Sequence, residues 1–172
     1  MSISENDKKY IWHPFTQMKT ADIPLPIVRG KGTLLFDENG NNYIDAIASW
    51  WVNLHGHAHP YLAKKVNEQM LKLEHVLFAG FTHEPATTLC ERLSKRLPNN
   101  QAKFFFSGDG SSALEIALKM SVQFWRNEGE KRHRFLALEG GYHGETFGAM
   151  SAGARSIFSA HFKDYLFEVS HL

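Results

Sequence analysis

The chain has 172 residues, 43% of them hydrophobic, and 19 basic against 18 acidic residues, a net charge of +1 with neutral histidines. That length buries a sizeable core, and the near-neutral charge gives no pull toward nucleic acid or an anionic membrane surface. A single cysteine, Cys90, excludes an intramolecular disulfide scaffold.

Residues 1–9 are polar and charged and hold no apolar signal core. No run approaches the roughly eighteen apolar residues of a membrane span, so the cytoplasm is the expected location and no membrane partner is expected. Residues 10–15, Tyr-Ile-Trp-His-Pro-Phe, are too aromatic for a casual tail and too short for a core. They are expected to pack on another part of the protein or on a partner subunit. Residues 22–29 carry Pro24 and Pro26 and read as extended and irregular. Residues 33–36 and 43–47 are strand candidates joined across Asn39-Gly40, a hairpin turn signal. Trp50 and Trp51 follow directly. In an extended segment two adjacent indoles point to opposite sides, so one packs while the other lines a pocket.

His55, His57 and His59 alternate, but Gly56 and Pro60 argue against a regular strand. No cysteine or neighbouring carboxylate completes a tetrahedral metal set, and packing in a loop or at a helix start is the expected role. Pro60 suits the first turn of a helix, and Leu62, Val66, Met70 and Leu73 follow at helical spacing. A second helix begins near Pro85, buries Ala86, Leu89 and Leu93, and ends at Pro98. Cys90 falls on it as a small packed residue.

Residues 104–106 are three phenylalanines, an apolar strand running into Ser107-Gly108-Asp109-Gly110-Ser111-Ser112. Two glycines let the backbone turn tightly. Ser111 and Ser112 fall where a helix begins, and Ser112 with Glu115 has capping-box spacing. The first amides of a helix lack intrahelical partners and suit a bound phosphate. The turn matches neither Gly-x-Gly-x-x-Gly nor the Gly-Lys-Ser/Thr ending of a nucleotide loop, which points to a single phosphate. The helix carries Ala113, Ile116, Ala117, Met120 and Phe124 on one stripe, with Leu114 and Leu118 off it, and Gly129 suits its stop. Residues 128–134 read as a charged, solvated loop.

Residues 135–139 form the next strand, which empties into Gly140-Gly141-Tyr142-His143-Gly144, a flexible turn bearing a ring. A helix begins over 145–151, and 165–169 is a further strand. This alternation predicts an α/β chain with a mostly parallel sheet and helical crossovers, preceded by a small hairpin-containing segment. Both glycine-rich turns fall at the carboxyl ends of strands, where such sheets bind ligands. The expected ligand is a phosphorylated, planar cofactor, its phosphate on the turn at 110–112 and its ring against Tyr142. A plain structural turn and a core position for Tyr142 are the alternatives.

Trp12-His13-Pro14-Phe15-Thr16, Ser49-Trp50-Trp51, His55-Gly56-x-x-His59-Pro60, Gly110-Ser111, Glu115-Ile116-Ala117-Leu118-Lys119-Met120 and the run from Gly141-Tyr142-His143-Gly144 to Ser151 appear in this order. Together they resemble the class III, pyridoxal-phosphate-dependent aminotransferases from about Tyr10 onward. The tryptophan pair and the Trp-His-Pro-Phe segment narrow the resemblance to the branch that acts in biotin synthesis. The resemblance implies the N-terminal part of a fold type I transferase, with residues 1–60 in the small domain and residues 61–172 as an incomplete large, cofactor-binding domain. It implies pyridoxal 5'-phosphate as cofactor, S-adenosylmethionine and 8-amino-7-oxononanoate as substrates, and a homodimer. Gly110, Ser111 and Ser112 would contact the cofactor phosphate, Tyr142 would stack near its ring, and Trp50 and Phe15 would line the substrate pocket.

Two departures from the family pattern stand out. The family turn often reads Asp-Ser-Gly-Ser or Asp-Asn-Gly-Ser, whereas this chain has Gly108-Asp109-Gly110-Ser111. That shift brings a carboxylate toward the phosphate unless Asp109 turns away. The Schiff-base lysine and the aspartate of the pyridine nitrogen come beyond position 172 in the family, so no catalytic residue is expected in this chain. A non-catalytic binding or assembly module, and a class III enzyme for another amine, stay open as readings.

Overall fold

Ser2 and Glu5 stand three residues apart, and they close a capping box. The Glu5 amide donates to Ser2 Oγ (3.2 Å) and the Ser2 amide to Glu5 Oε2 (2.6 Å). The polar start of the chain is therefore a helix, α1 (Ile3–Tyr10), rather than a featureless tail. The computed structural model describes residues 2–101 and 103–172, which form two compact units meeting at 83/84. The 60/61 division concerns the domains of a longer chain and stays a proposal.

The first unit holds a three-stranded antiparallel sheet, β1 (Ile27–Lys31), β2 (Leu34–Asp37) and β3 (Asn42–Ile44), in that order. The expected hairpin forms across Asn39-Gly40, where the Asp37 carboxylate accepts from the Asn39 and Asn41 amides at 2.9 Å each. β1 corrects the irregular reading of 22–29. The two prolines lie just before it, and the strand needs its amides only after Pro26.

β3 stops at Ile44 because the chain winds into one left-handed helical turn, α2 (Ala48–Trp51). Its φ angles are 49°, 46°, 66° and 67°. None of these residues is glycine, so the turn costs about 1–2 kcal/mol per residue. Trp50 and Trp51 are therefore not on opposite sides of an extended segment, and their rings meet edge to face at 6.4 Å. Asp45 braces the turn: Oδ2 accepts from Ser49 Oγ (2.7 Å) and pairs with His57 Nε2 (2.8 Å). His57 in turn pairs its backbone with Gly32 at 2.8 and 3.1 Å. His57 thus has a carboxylate after all, twelve residues upstream. His59 caps α3 (Pro60–Lys72) by position, with Pro60 at its first turn as expected.

Hydrogen bonds from the Ser49 amide and hydroxyl, then from His57, hold the Asp45 carboxyl down at about 2. Its folded-state value lies below the unfolded one of about 3.9, so its contribution is complete above pH ~4 and is lost as pH falls toward ~2. The stability gap between the wild type and Asp45→Asn is expected to narrow across that window in denaturant titrations. A gap that stays constant from pH 6 to 2 contradicts the bracing role.

The second unit runs α4 (Glu84–Ser94), α5 (Gly110–Asn127), β4 (Phe135–Ala137), α6 (Phe147–Ala152), a 3-10 turn (Ala160–Tyr165) and β5 (Val169–His171). β4 and β5 pair in parallel, Phe135 opposite Val169 and Ala137 opposite His171, as the α/β reading requires. β5 starts where 165–169 was expected to end, because the 3-10 turn occupies the chain up to Tyr165. Residues 104–106 join no sheet. Apolar composition alone does not make a strand. α4 stops at Ser94, short of Pro98, and of its three expected core residues only Ala86 is buried.

α5 ends as predicted. Gly129 takes φ +79°, its amide donates to Arg126 O (3.1 Å), and the Glu130 amide donates to Trp125 O (2.8 Å). Its expected stripe, however, is the open face. Of that stripe Ala113, Ala117, Met120 and Phe124 are exposed and Ile116 is partly covered, as are Leu114, Leu118, Val122 and Trp125 off it. The core of the unit is α6, where Gly148, Ala149, Met150, Ser151 and Ala152 are all buried. Ser151 Oγ donates to Phe147 O (2.6 Å) and accepts from the Phe167 amide (3.1 Å), so this buried hydroxyl is satisfied. No helix of the described residues is long and apolar enough to cross a membrane.

Candidate functional site

α5 begins one residue earlier than the serines suggested. Asp109 is its N-cap: Oδ1 accepts from the Ser112 amide (2.8 Å) and Oδ2 from Ser112 Oγ (2.9 Å). Aspartate is as good a cap as serine, and it sits where the helix end is positive. The Ser112–Glu115 capping box therefore does not form. The Ser112 amide, then its hydroxyl, holds the Asp109 carboxyl below its ordinary range. The carboxylate is folded onto its own helix, the condition under which an anion can approach this turn.

Glu115, released from that box, crosses to α6. Its Oε1 accepts from the Gly148 amide (2.7 Å) and the Ala149 amide (3.2 Å). The Thr146 hydroxyl, then these two amides, keep the Glu115 carboxyl below its usual range. The second glycine-rich turn packs against the same stretch of α5. Gly144 has φ +118°, and a Cβ there would collide with Ser111 Oγ and lie 2.6 Å from Ser111 Cβ. Only glycine satisfies both demands.

Between these two turns lies an open cavity of about 660 Å³, lined by Asp109, Gly110, Ser111, Ala113, Leu114 and Ala117 on one side and by Tyr142, His143 and Gly144 on the other. That size is within the range of small-molecule sites. The cavity unites three of the four cofactor candidates, Gly110, Ser111 and Tyr142. Ser112 does not line it, because Asp109 takes both its amide and its hydroxyl. Tyr142 is 73% exposed within this chain, and its hydroxyl donates to Glu145 Oε1 (3.0 Å). That bond raises the phenol above its usual value. Among the described residues, the lining offers an anion amide and hydroxyl donors and a helix end.

In the first unit, Phe15 and Trp50 come together across the sequence, with ring centroids 5.7 Å apart and planes at 51°. With Trp51 they form an exposed aromatic cluster. Sequence reading missed Asp109 as the cap and Glu115 as a cross-link. The first carried a local signal, an aspartate directly before Gly-Ser. The second had none, since its partners lie 33 and 34 residues away.

The family model of aminotransferase class III matches residues 15–172. The adenosylmethionine-8-amino-7-oxononanoate aminotransferase of Synechococcus elongatus is 52% identical over 163 residues, covering 95% of this chain and 38% of that protein. The Staphylococcus aureus protein of the same name is 42% identical over 172 residues, covering 96% of this chain and 38% of its own length. Among solved structures, the Methanocaldococcus jannaschii protein of that name superposes with a TM-score of 0.90 at 40% identity, covering 98% of this chain and 39% of its own. An omega transaminase from Pseudomonas jessenii, solved in complex with PMP, gives 0.89 at 30% identity, covering 100% and 39%. The chain thus spans a little over a third of the length of these relatives and has the fold of their N-terminal part.

Proposed function

Because the chain belongs to the class III aminotransferases, we propose that it is the N-terminal part of a pyridoxal-phosphate enzyme that moves the amino group of S-adenosylmethionine to 8-amino-7-oxononanoate, giving 7,8-diaminononanoate. The observation that carries this reading is the identity, over nearly the whole chain, to relatives bearing that name. Residues 1–60 would belong to the small domain and 61–172 to the large one, in a cytoplasmic homodimer.

The cavity of the second unit fits the cofactor. Helix-end amides and hydroxyls suit a phosphate, and an exposed ring stands beside them. Bound there, pyridoxal phosphate would supply an electron sink and a carrier for the amino group. The Gly110 amide and the Ser111 hydroxyl would hold the phosphate, with Ser112 acting through the Asp109 cap as well as by its place in the first turn. Tyr142 would flank the ring and keep water from that face, its hydroxyl anchored on Glu145. Phe15 and Trp50 would offer an apolar wall to the carbon chain of the substrate.

The test is to supply the complete enzyme with pyridoxal phosphate and both substrates and to look for 7,8-diaminononanoate. Its formation is the expected result. Turnover of a different amine pair would reassign the protein within its class. Failure to bind the cofactor at all would favour a non-catalytic module.

A further inference from the structure

Glu115 belongs to α5, yet its carboxylate serves α6. The Gly148 and Ala149 amides that it accepts are the second and third residues of that helix, whose own N-cap residue, Thr146, makes no side-chain cap bond. Without Glu115 these amides would be orphaned at the start of a buried helix. Gly148 makes the approach possible, because a Cβ there would lie 2.6 Å from Glu115 Oε1. Ser111, one turn earlier on the same face of α5, meets Gly144. The first turns of α5 therefore grip residues 144–149 at two points. Between those points lies Glu145, which holds the Tyr142 hydroxyl at 3.0 Å.

We propose that Glu115 is a positioning residue of the cavity: it pins the loop at 141–146 against the first turn of α5 and so sets where the Tyr142 ring stands relative to the turn at 110–111. The proposal rests on the cofactor reading above. Glu115 does not line the cavity, and its role runs through Tyr142.

The experiment titrates pyridoxal phosphate into the complete enzyme as wild type, Glu115→Ala, Glu115→Gln and Gly148→Ala. It follows affinity, the induced circular dichroism of the bound cofactor and thermal melting. Glu115→Ala is expected to bind about tenfold more weakly and to change the dichroism, since two amides lose a charged acceptor. Glu115→Gln keeps an acceptor oxygen and should stay within about threefold of wild type. Gly148→Ala raises helix propensity yet displaces the carboxylate, and should reproduce the alanine loss from the other side. Lowered melting with unchanged affinity and dichroism in all variants would reduce Glu115 to a structural cap and overturn the proposal. A wild type that binds no pyridoxal phosphate would overturn the cofactor reading first, and the proposal with it.

Discussion

Gly144→Ala is expected to weaken pyridoxal phosphate binding by about a hundredfold, because two separate costs fall on one atom. The backbone at Gly144 has φ +118°, a region that costs an alanine about 1–3 kcal/mol. The added methyl would also occupy the place of Ser111 Oγ, a cavity-lining hydroxyl of the phosphate turn. Either the loop lifts away from α5 or Ser111 moves out of the cavity, and both separate the ring from the turn. Cofactor titration of the complete enzyme measures the loss. Gly140→Ala is the control: its φ is also positive (+73°), but a Cβ there meets nothing within 4 Å. The control therefore reports backbone strain without the collision. Equal losses in the two variants would show that the contact between the two turns is irrelevant to binding.

Local signals and distant ones separated cleanly in this chain. Asn39-Gly40, Pro60 and Gly129 each carry their structural consequence within a few residues, and each turned out where the sequence placed it. The capping box at Ser2 and Glu5 and the cap at Asp109 are equally local, each closed within three residues. Other features had no such signal. Ala48-Ser49-Trp50-Trp51 contains no glycine, so nothing in it announces a left-handed turn. Its cause is Asp45 and His57, brought in from either side. Glu115 has the same character, a carboxylate whose partners are fixed only once α5 and α6 have packed.

The α5 stripe shows a third kind of limit. Periodicity marks Ala113, Ile116, Ala117, Met120 and Phe124 as one apolar stripe. It cannot say what covers that face, and within this chain the face is open while the opposite side is partly covered. The three phenylalanines at 104–106 have strand composition for the same reason, yet they are not part of a strand. Of the site itself, Gly110, Ser111 and Tyr142 were legible because glycine-rich turns and a lone ring in a loop are local features. Family resemblance assigned Phe15 and Trp50 separately to one pocket; the contact of their rings had no signal in the sequence, since nothing near either residue points to the other.

The 172-residue chain by itself is expected to associate and to melt without a cooperative transition. Large apolar side chains stand open in it: Phe105 is 68% exposed, Phe124 55%, Met120 48% and Trp51 71%. Among the described residues the only large hydrophobic side chain in the buried class is Met150. Exposed apolar side chains of this size drive association, and so small a core cannot offset the conformational entropy of the chain. The parallel pair β4 and β5 adds the same liability at the level of the backbone, because among the described residues neither strand is paired on its outer edge. Sedimentation of residues 1–172 should give species larger than a monomer, with a broad thermal transition and strong binding of an apolar dye. The complete enzyme, in which further chain can cover these faces, should melt in a single sharp step. A monomeric 172-residue chain with a cooperative transition would show that the open faces of α5 and of the sheet close on one another in solution.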